Sequence, residues 1–242
     1  MLELIADSVL LGLGVAFVYL ALHLYAQRSG AAWTTALMRM RTAVLLTIAL
    51  VATGIKVFED VLGHESGPFD EAILRFIHEY TPSEITGFFA TITATGSLKF
   101  LFPVAALTTL VLLLARRWFD AMLVAVSPAI AASLVTLIKV AVGRIRPDEG
   151  VGVYAGASFP SGHTVGVAAF ATAVAVVAMD IWPKSRLLAA SLAVAWTALV
   201  ALSRLILRAH WPTDVLAAAC LGAAIPLLIS LLGGVRVRRE PR

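Results

Sequence analysis

Ser203-Arg204-Leu205-Ile206-Leu207-Arg208-Ala209-His210-Trp211-Pro212-Thr213-Asp214 is a polar knot joining two apolar runs, overlapping the end of Leu187–Leu207 and abutting the start of Val215–Leu232. Each run is near the ~20 residues a helix needs to cross a bilayer, so the knot reads as the turn between two membrane spans. Pro212 suits the first turn of the second helix, where its missing N–H costs nothing, and Asp214 then lies near the positive end of that helix dipole. Asp214 follows His210 by four residues, a spacing that lets the carboxylate fix one imidazole nitrogen and leave the other with an outward lone pair. Two readings of the knot stand: an oriented imidazole beside cations, or a charged loop at the membrane surface.

The rest of the chain has the same character. Hydrophobic residues make up 60% of the 242 and charged residues 14%, against about 25% charged in a soluble domain. The mean hydropathy is +0.91. These values exclude a soluble domain and predict an all-α, polytopic membrane bundle. Runs of spanning length recur at Leu4–Ala26, Thr42–Leu62, Leu98–Ala115, Ala121–Val142 and Thr164–Ile181, which with the two beside the knot predicts seven helices. The second run is the weakest, because Lys56, Glu59 and Asp60 fall in its last turns and must snorkel to the interface. The first reads as a span and not a signal peptide, since no basic segment precedes it and no small-residue cleavage site follows. Asp7 and His23 near its ends read as interfacial anchors. The single cysteine, Cys220, excludes an intrachain disulfide.

The net charge of +4 reports orientation, not nucleic-acid binding. Placing Arg236, Arg238, Arg239 and Arg242 inside puts Arg28, Arg39, Arg41, Arg116, Arg117, Lys184 and Arg186 inside as well. The knot then faces the extracytoplasmic side, with the N-terminus and most acids. The expected organisation is an N-terminal helix and cytoplasmic connection over 1–41, a membrane domain over 42–232 and a basic tail over 233–242.

Between the spans lie three stretches with polar character. Phe69, Ile73, Phe76 and Ile77 share one face of a short helix with charges on the other, the pattern of a helix lying in the interface. It either guides a headgroup or only packs against the bundle, and His78 within it takes no special role. Lys139-Val140-Ala141-Val142-Gly143-Arg144-Ile145-Arg146-Pro147 gathers three cations at a membrane face, for lipid headgroups or for a bound anion. A loop with Gly150, Gly152 and Gly156 then leads to Phe159-Pro160-Ser161-Gly162-His163, where a helix begins and its free N–H groups form a natural anion site. Pro103 and Pro128 predict kinks. The Lys139–Pro147 stretch, the Pro160–His163 stretch and the Ser203–Asp214 knot are three clusters that fall on one side of the membrane. Neither repeats nor metal-ligand spacings occur.

Taken together, Lys139-x6-Arg146-Pro147, Pro160-Ser161-Gly162-His163 and Ser203-Arg204-x5-His210-x3-Asp214 resemble the three-part signature of the type-2 phosphatidic acid phosphatase superfamily at every defining position. The resemblance implies a six-helix phosphatase core plus one added N-terminal transmembrane helix. It also implies that Lys139, Arg146 and Arg204 hold the phosphoryl oxygens, with the Ser161 hydroxyl and the amides around Gly162. His210 would be the nucleophile, Asp214 its orienting carboxylate, and His163 the acid and then the base. Arg144, adjacent to the signature, is expected as a secondary contact. Asp148 and Glu149 lie outside it and read as solvated loop acids.

The function so implied is hydrolysis of the terminal phosphate of a membrane lipid mono- or diphosphate, such as phosphatidate, phosphatidylglycerophosphate or undecaprenyl diphosphate. It would proceed through a phosphohistidine without metal or cofactor, on the extracytoplasmic face of a bacterial inner membrane. Fixed cations and two opposed imidazoles supply what phosphoryl transfer needs. The alternative is a non-catalytic phosphate-lipid binding or transport protein, for which two imidazoles have no use. A haloperoxidase on a similar pocket would leave the apolar spans without a purpose. The expected partner is the lipid phosphate itself, not a nucleic acid; oligomeric state is left open.

Overall fold

The computed structural model describes residues 2–147 and 156–237. Asp148, Glu149, Gly150, Gly152 and the tail arginines Arg238, Arg239 and Arg242 lie outside the described residues. Among the described residues the chain forms α1 (Leu2–Ser29), α2 (Ala32–Arg39), α3 (Arg41–Leu62), α4 (Gly67–Tyr80), α5 (Thr86–Ala94), α6 (Leu98–Leu114), α7 (Trp118–Val142), α8 (Gly162–Ile181), α9 (Arg186–Ile206) and α10 (Pro212–Val237), with two single-turn 3-10 helices and no strand. Six of these are long and apolar enough to cross a membrane. The third apolar run, Leu98–Ala115, differs from expectation. Its helix, α6, has only 17 residues, about 25 Å of rise, and joins α5 through a 41° bend, so the two together make the remaining candidate span.

Helix α8 is the centre of the bundle. Small side chains on it, among them Ala168, Ala169 and Ala173, are fully or almost fully buried, which lets neighbours approach closely. Gly222 on α10 shows how closely: a Cβ there would fall 2.6 Å from both the Ala168 Cβ and the Val165 carbonyl oxygen. Leu123 and Val124 of α7, Val167 and Phe170 of α8 and Val200 of α9 form one apolar cluster; Ala131, Val165, Ala218 and Ile225 form a second between α7, α8 and α10. The α5–α6 bend is held onto α9 by the Trp196 indole N–H, which donates to Thr95 Oγ1 at 2.9 Å.

By contrast, α1 rests along α3 with most of its surface exposed. Asp7, read as an anchor, pairs with Lys56 (3.3 Å), which also holds Asp60 (2.6 Å). That pairing ties Lys56 of the second apolar run to α1. The connection between the first two runs contains a helix of its own, α2.

The helix expected around Phe69–His78 is present as α4. Phe69 and Phe76 are exposed, and the residues buried against the bundle are Asp70 and Leu74. A charge assigned to the solvent face thus lies at 0% exposure. His78, expected to have no role, places Nε2 3.0 Å from the Leu205 carbonyl oxygen and so ties α4 to the end of α9.

The two ends of the bundle are distinct. Arg117, before α7, bonds Asp180 near the end of α8. At the other end Lys139, late in α7, reaches the carbonyls of Ala157 and Ser158, and the Ser161 N–H donates to the Asp214 carbonyl (3.2 Å). The three polar clusters therefore meet at one end.

Candidate active site

The knot folds as its composition requires. Helix α9 ends in a tight turn, with Ala209 N–H donating to the Arg204 carbonyl and Arg208 at a left-handed φ of 51°. Pro212 opens α10, which makes Trp211 the capping residue and puts Asp214 at the third helical position. From there Asp214 Oδ2 reaches back to the Trp211 N–H (3.0 Å), the reciprocal half of a capping box. The same oxygen lies 3.2 Å from His210 Nδ1. His210 and Asp214 are buried, and on the other edge of the ring Arg146 Nη1 is 3.3 Å from Nε2. A carboxylate on one nitrogen and a guanidinium donor on the other agree on one tautomer: Nδ1 carries the proton and Nε2 the lone pair. Burial pulls the imidazole down to about 4, against the opposing hydrogen bond from Asp214, so the ring is neutral at ordinary pH. It is an uncharged imidazole whose lone pair faces a cation.

The other cations are oriented by backbone carbonyls and one hydroxyl. Arg146 donates through Nη1 to the Ala209 carbonyl (2.6 Å) and through Nε to the Gly156 carbonyl (3.1 Å), so it bridges the segment before α8 and the knot. Lys139 holds the same segment, as above. Gly143 ends α7 in the left-handed region at φ +62°, which turns the chain so that Arg144 and Arg146 follow at once. Arg204, in the last turn of α9 and 3% exposed, donates to Thr93 Oγ1 of α5 at 2.9 Å.

Ser161 caps α8 from a buried position. Its hydroxyl oxygen accepts from Thr164 Oγ1 (3.1 Å), leaving its own proton to donate. Gly162 and His163 begin the helix, and His163 stands at the head of an apolar cavity of about 750 Å³ between α6, α7 and α8, lined by Phe102, Ala106, Leu110, Ala129 and Ala132 among others. Along α6 the lining runs from Leu98 to Leu113, about 22 Å.

The structure thus gathers Lys139, Arg146, Ser161, Gly162, His163, Arg204, His210 and Asp214 at one end of α7–α10. Arg144, expected as a secondary contact, bonds carboxylates and hydroxyls beside the site. Its Nη1 donates to Thr213 Oγ1 (2.8 Å) and Asp214 Oδ1 (2.7 Å), and its Nη2 to Ser66 Oγ (3.0 Å) and Asp70. Arg144 thus takes one oxygen of Asp214 and His210 the other. Asp70, Ser66, Thr93 and Thr213 are the site neighbours that sequence reasoning missed. Only Asp70 carried a signal, a charge one turn before Leu74 on an otherwise packing face. Among the described residues no group of three or more His, Cys, Asp and Glu side chains is arranged to hold a metal ion.

The pattern of the PAP2 superfamily matches residues 120–238, the stretch holding all three clusters. Among characterised proteins, the chain is 34% identical over 110 residues to a lipid A 1-phosphatase of Rhizobium johnstonii, covering 41% of this chain and 42% of that protein. It therefore spans less than half the length of that relative. It is 31% identical over 134 residues to the decaprenylphosphoryl-5-phosphoribose phosphatase of Mycobacterium tuberculosis, covering 53% of this chain and 70% of that one. The fold resembles the crystal structure of a transmembrane PAP2-type phosphatidylglycerolphosphate phosphatase from Bacillus subtilis, with a TM-score of 0.67, 24% identity, and coverage of 75% of this chain and 96% of the other. On the family pattern and the extent of the mycobacterial relative matched, the chain belongs to the PAP2 superfamily.

Proposed function

We propose that this protein hydrolyses the terminal phosphate of a membrane lipid mono- or diphosphate, with His210 as nucleophile. The observation that carries the reading is the neutral, buried His210, its Nδ1 on Asp214 and its Nε2 turned toward Arg146. A phosphoryl group entering between Nε2 and the guanidinium would take over the Arg146 N–H, while Lys139, Arg204 and the Ser161 hydroxyl share its remaining oxygens. Nε2 then forms the N–P bond as the P–O bond to the lipid breaks, and His163 gives its proton to the departing oxygen. Water, relieved of a proton by His163, attacks phosphorus in the second step; the P–N bond breaks, and His210 regains its lone pair with inorganic phosphate as product. Fixed cations stabilise the equatorial charge in both steps without a metal.

The cavity headed by His163 supports a lipid in place of a small phosphate ester, because an acyl or prenyl chain gives an apolar cavity of that length an occupant. Phosphatidate, phosphatidylglycerophosphate and undecaprenyl diphosphate all fit this description. The basic residues Arg28, Arg39, Arg41, Arg116, Arg117, Lys184 and Arg186 gather at the end opposite the site, and the positive-inside rule then favours an extracytoplasmic site in a bacterial inner membrane.

The test is phosphate release by detergent-purified full-length protein on those three lipids, comparing wild type with His210→Ala. Turnover of at least one lipid that disappears in the variant is the expected result. A wild type inactive on all three would favour a phosphate-lipid binding or transport protein, and a variant as active as an active wild type would remove His210 as the nucleophile.

A further inference from the structure

Two charges, the buried Asp70 and the half-buried Arg144, take no direct part in the chemistry above. Asp70 projects from α4 into the first turn of α10, where Oδ1 accepts the Thr213 N–H (2.9 Å) and Oδ2 the Thr213 hydroxyl (2.7 Å). A free N–H of the α10 N-terminus is thus satisfied from another helix. Arg144 sits between the two carboxylates, with bonds to both, and lies over the Trp211 ring at 5.6 Å. The Asp214 oxygens divide the work: Oδ1 takes Arg144, Oδ2 takes His210 and the Trp211 N–H.

We propose that Asp70 and Arg144 are positioning residues for the His210–Asp214 pair, Arg144 fixing the Asp214 carboxylate and Asp70 offsetting the arginine's charge so that Asp214 keeps its own for His210. The inference rests on the proposed phosphatase reading. An arginine facing Asp214 alone would neutralise it. Shared between two aspartates, the guanidinium leaves one net negative charge beside the ring. That charge matters when Nε2 is bonded to phosphorus and Nδ1 still carries its proton, for the imidazole is then a cation. The same clamp makes α4 part of the catalytic frame: moving the helix that carries Ser66 and Asp70 would move Asp214.

The groups facing His210 are Asp214 on α10, Arg204 on α9, Lys139 on α7, Arg144 and Arg146 in the segment after α7, His163 on α8 and, behind Asp214, Asp70 on α4. Removing the Arg144 charge should ease protonation of His210, and removing that of Asp70 should hinder it. The experiment compares wild type, Asp70→Asn, Arg144→Gln and the double variant on whichever lipid the wild type turns over. Each single variant is expected to lower kcat about 10- to 100-fold, with KM and inhibition by inorganic phosphate held within about twofold. The acid limb of kcat/KM should move up in Arg144→Gln and down in Asp70→Asn. Because Arg144→Gln leaves two carboxylates facing each other and can fail to fold, the double variant, which removes one charge of each sign, is measured beside it and should return the limb toward the wild-type position. Weaker phosphate inhibition with kcat intact would make Arg144 a phosphate contact and overturn the proposal. So would a loss of kcat with the limb unmoved in singles and double, the mark of a purely structural tie. A wild type that releases no phosphate removes the phosphatase reading itself, whereas an active wild type with unaltered variants removes only this inference.

Discussion

At each end of α7 an arginine bridges two aspartates. Arg117 holds Asp120 and Asp180 with side chains 32%, 16% and 72% exposed, while Arg144 holds Asp70 and Asp214 with side chains 16%, 1% and 0% exposed. The composition is the same, and the surroundings differ. Water competes for every group of the first triad, so its pairs are worth about 0–1 kcal/mol each and weaken with salt. In the second triad both aspartates are buried, and the set bonds Ser66, Thr213, the Thr213 and Trp211 N–H groups and His210 in place of water. Breaking a buried set of that kind leaves an uncompensated charge, which typically costs about 3–5 kcal/mol. Charge pairs in this molecule take their meaning from what they are buried against.

The contrast can be broken at its strongest point first. Asp214→Asn removes the acceptor that fixes the His210 tautomer and is expected to lower kcat about 10³- to 10⁴-fold, as loss of an orienting aspartate does elsewhere; steady-state phosphate release measures it. The pH profile sharpens the same end. With His210 lowered to about 4 by burial, the attacking ring stays unprotonated well below the ordinary histidine value. The acid limb of kcat/KM should therefore lie near pH 4 and not near 6.5, activity falling about tenfold for each unit below it. At the other end, Arg117→Gln should leave turnover within about twofold of wild type and change stability by no more than about 1 kcal/mol, read by thermal unfolding in detergent. A large loss of activity there would mean that the two ends are coupled through α7.

Most of the architecture was legible in the sequence because a membrane-spanning helix announces itself by length and apolarity alone. The exceptions have physical reasons. Helix α6 is too short to stand alone as a clear span, and its continuation α5 turns through 41°, a bend no hydropathy window registers. Helix α2 is eight residues within a basic connection, too short for periodicity to declare it. The meeting of His210, Asp214, Arg146 and Ser161 was expected from the resemblance that the three motifs bear to the superfamily signature. Asp70 and Arg144 were not legible in the same way. A charged residue in an amphipathic helix reads as a solvent face unless its partner is known, and the partners of Asp70, Arg144 and Thr213, are 74 and 143 residues further along the chain.

The central claim is that His210 carries the phosphoryl group, and trapping that species tests it most directly. Wild-type protein turning over a lipid radiolabelled in its terminal phosphate would be quenched in alkali, in which an N–P bond to imidazole survives, and then exposed to acid, in which it does not. Label that stays with the protein in alkali, is released by acid and is absent from His210→Ala is the predicted result. Turnover without bound label, or label retained by His210→Ala, would contradict the account.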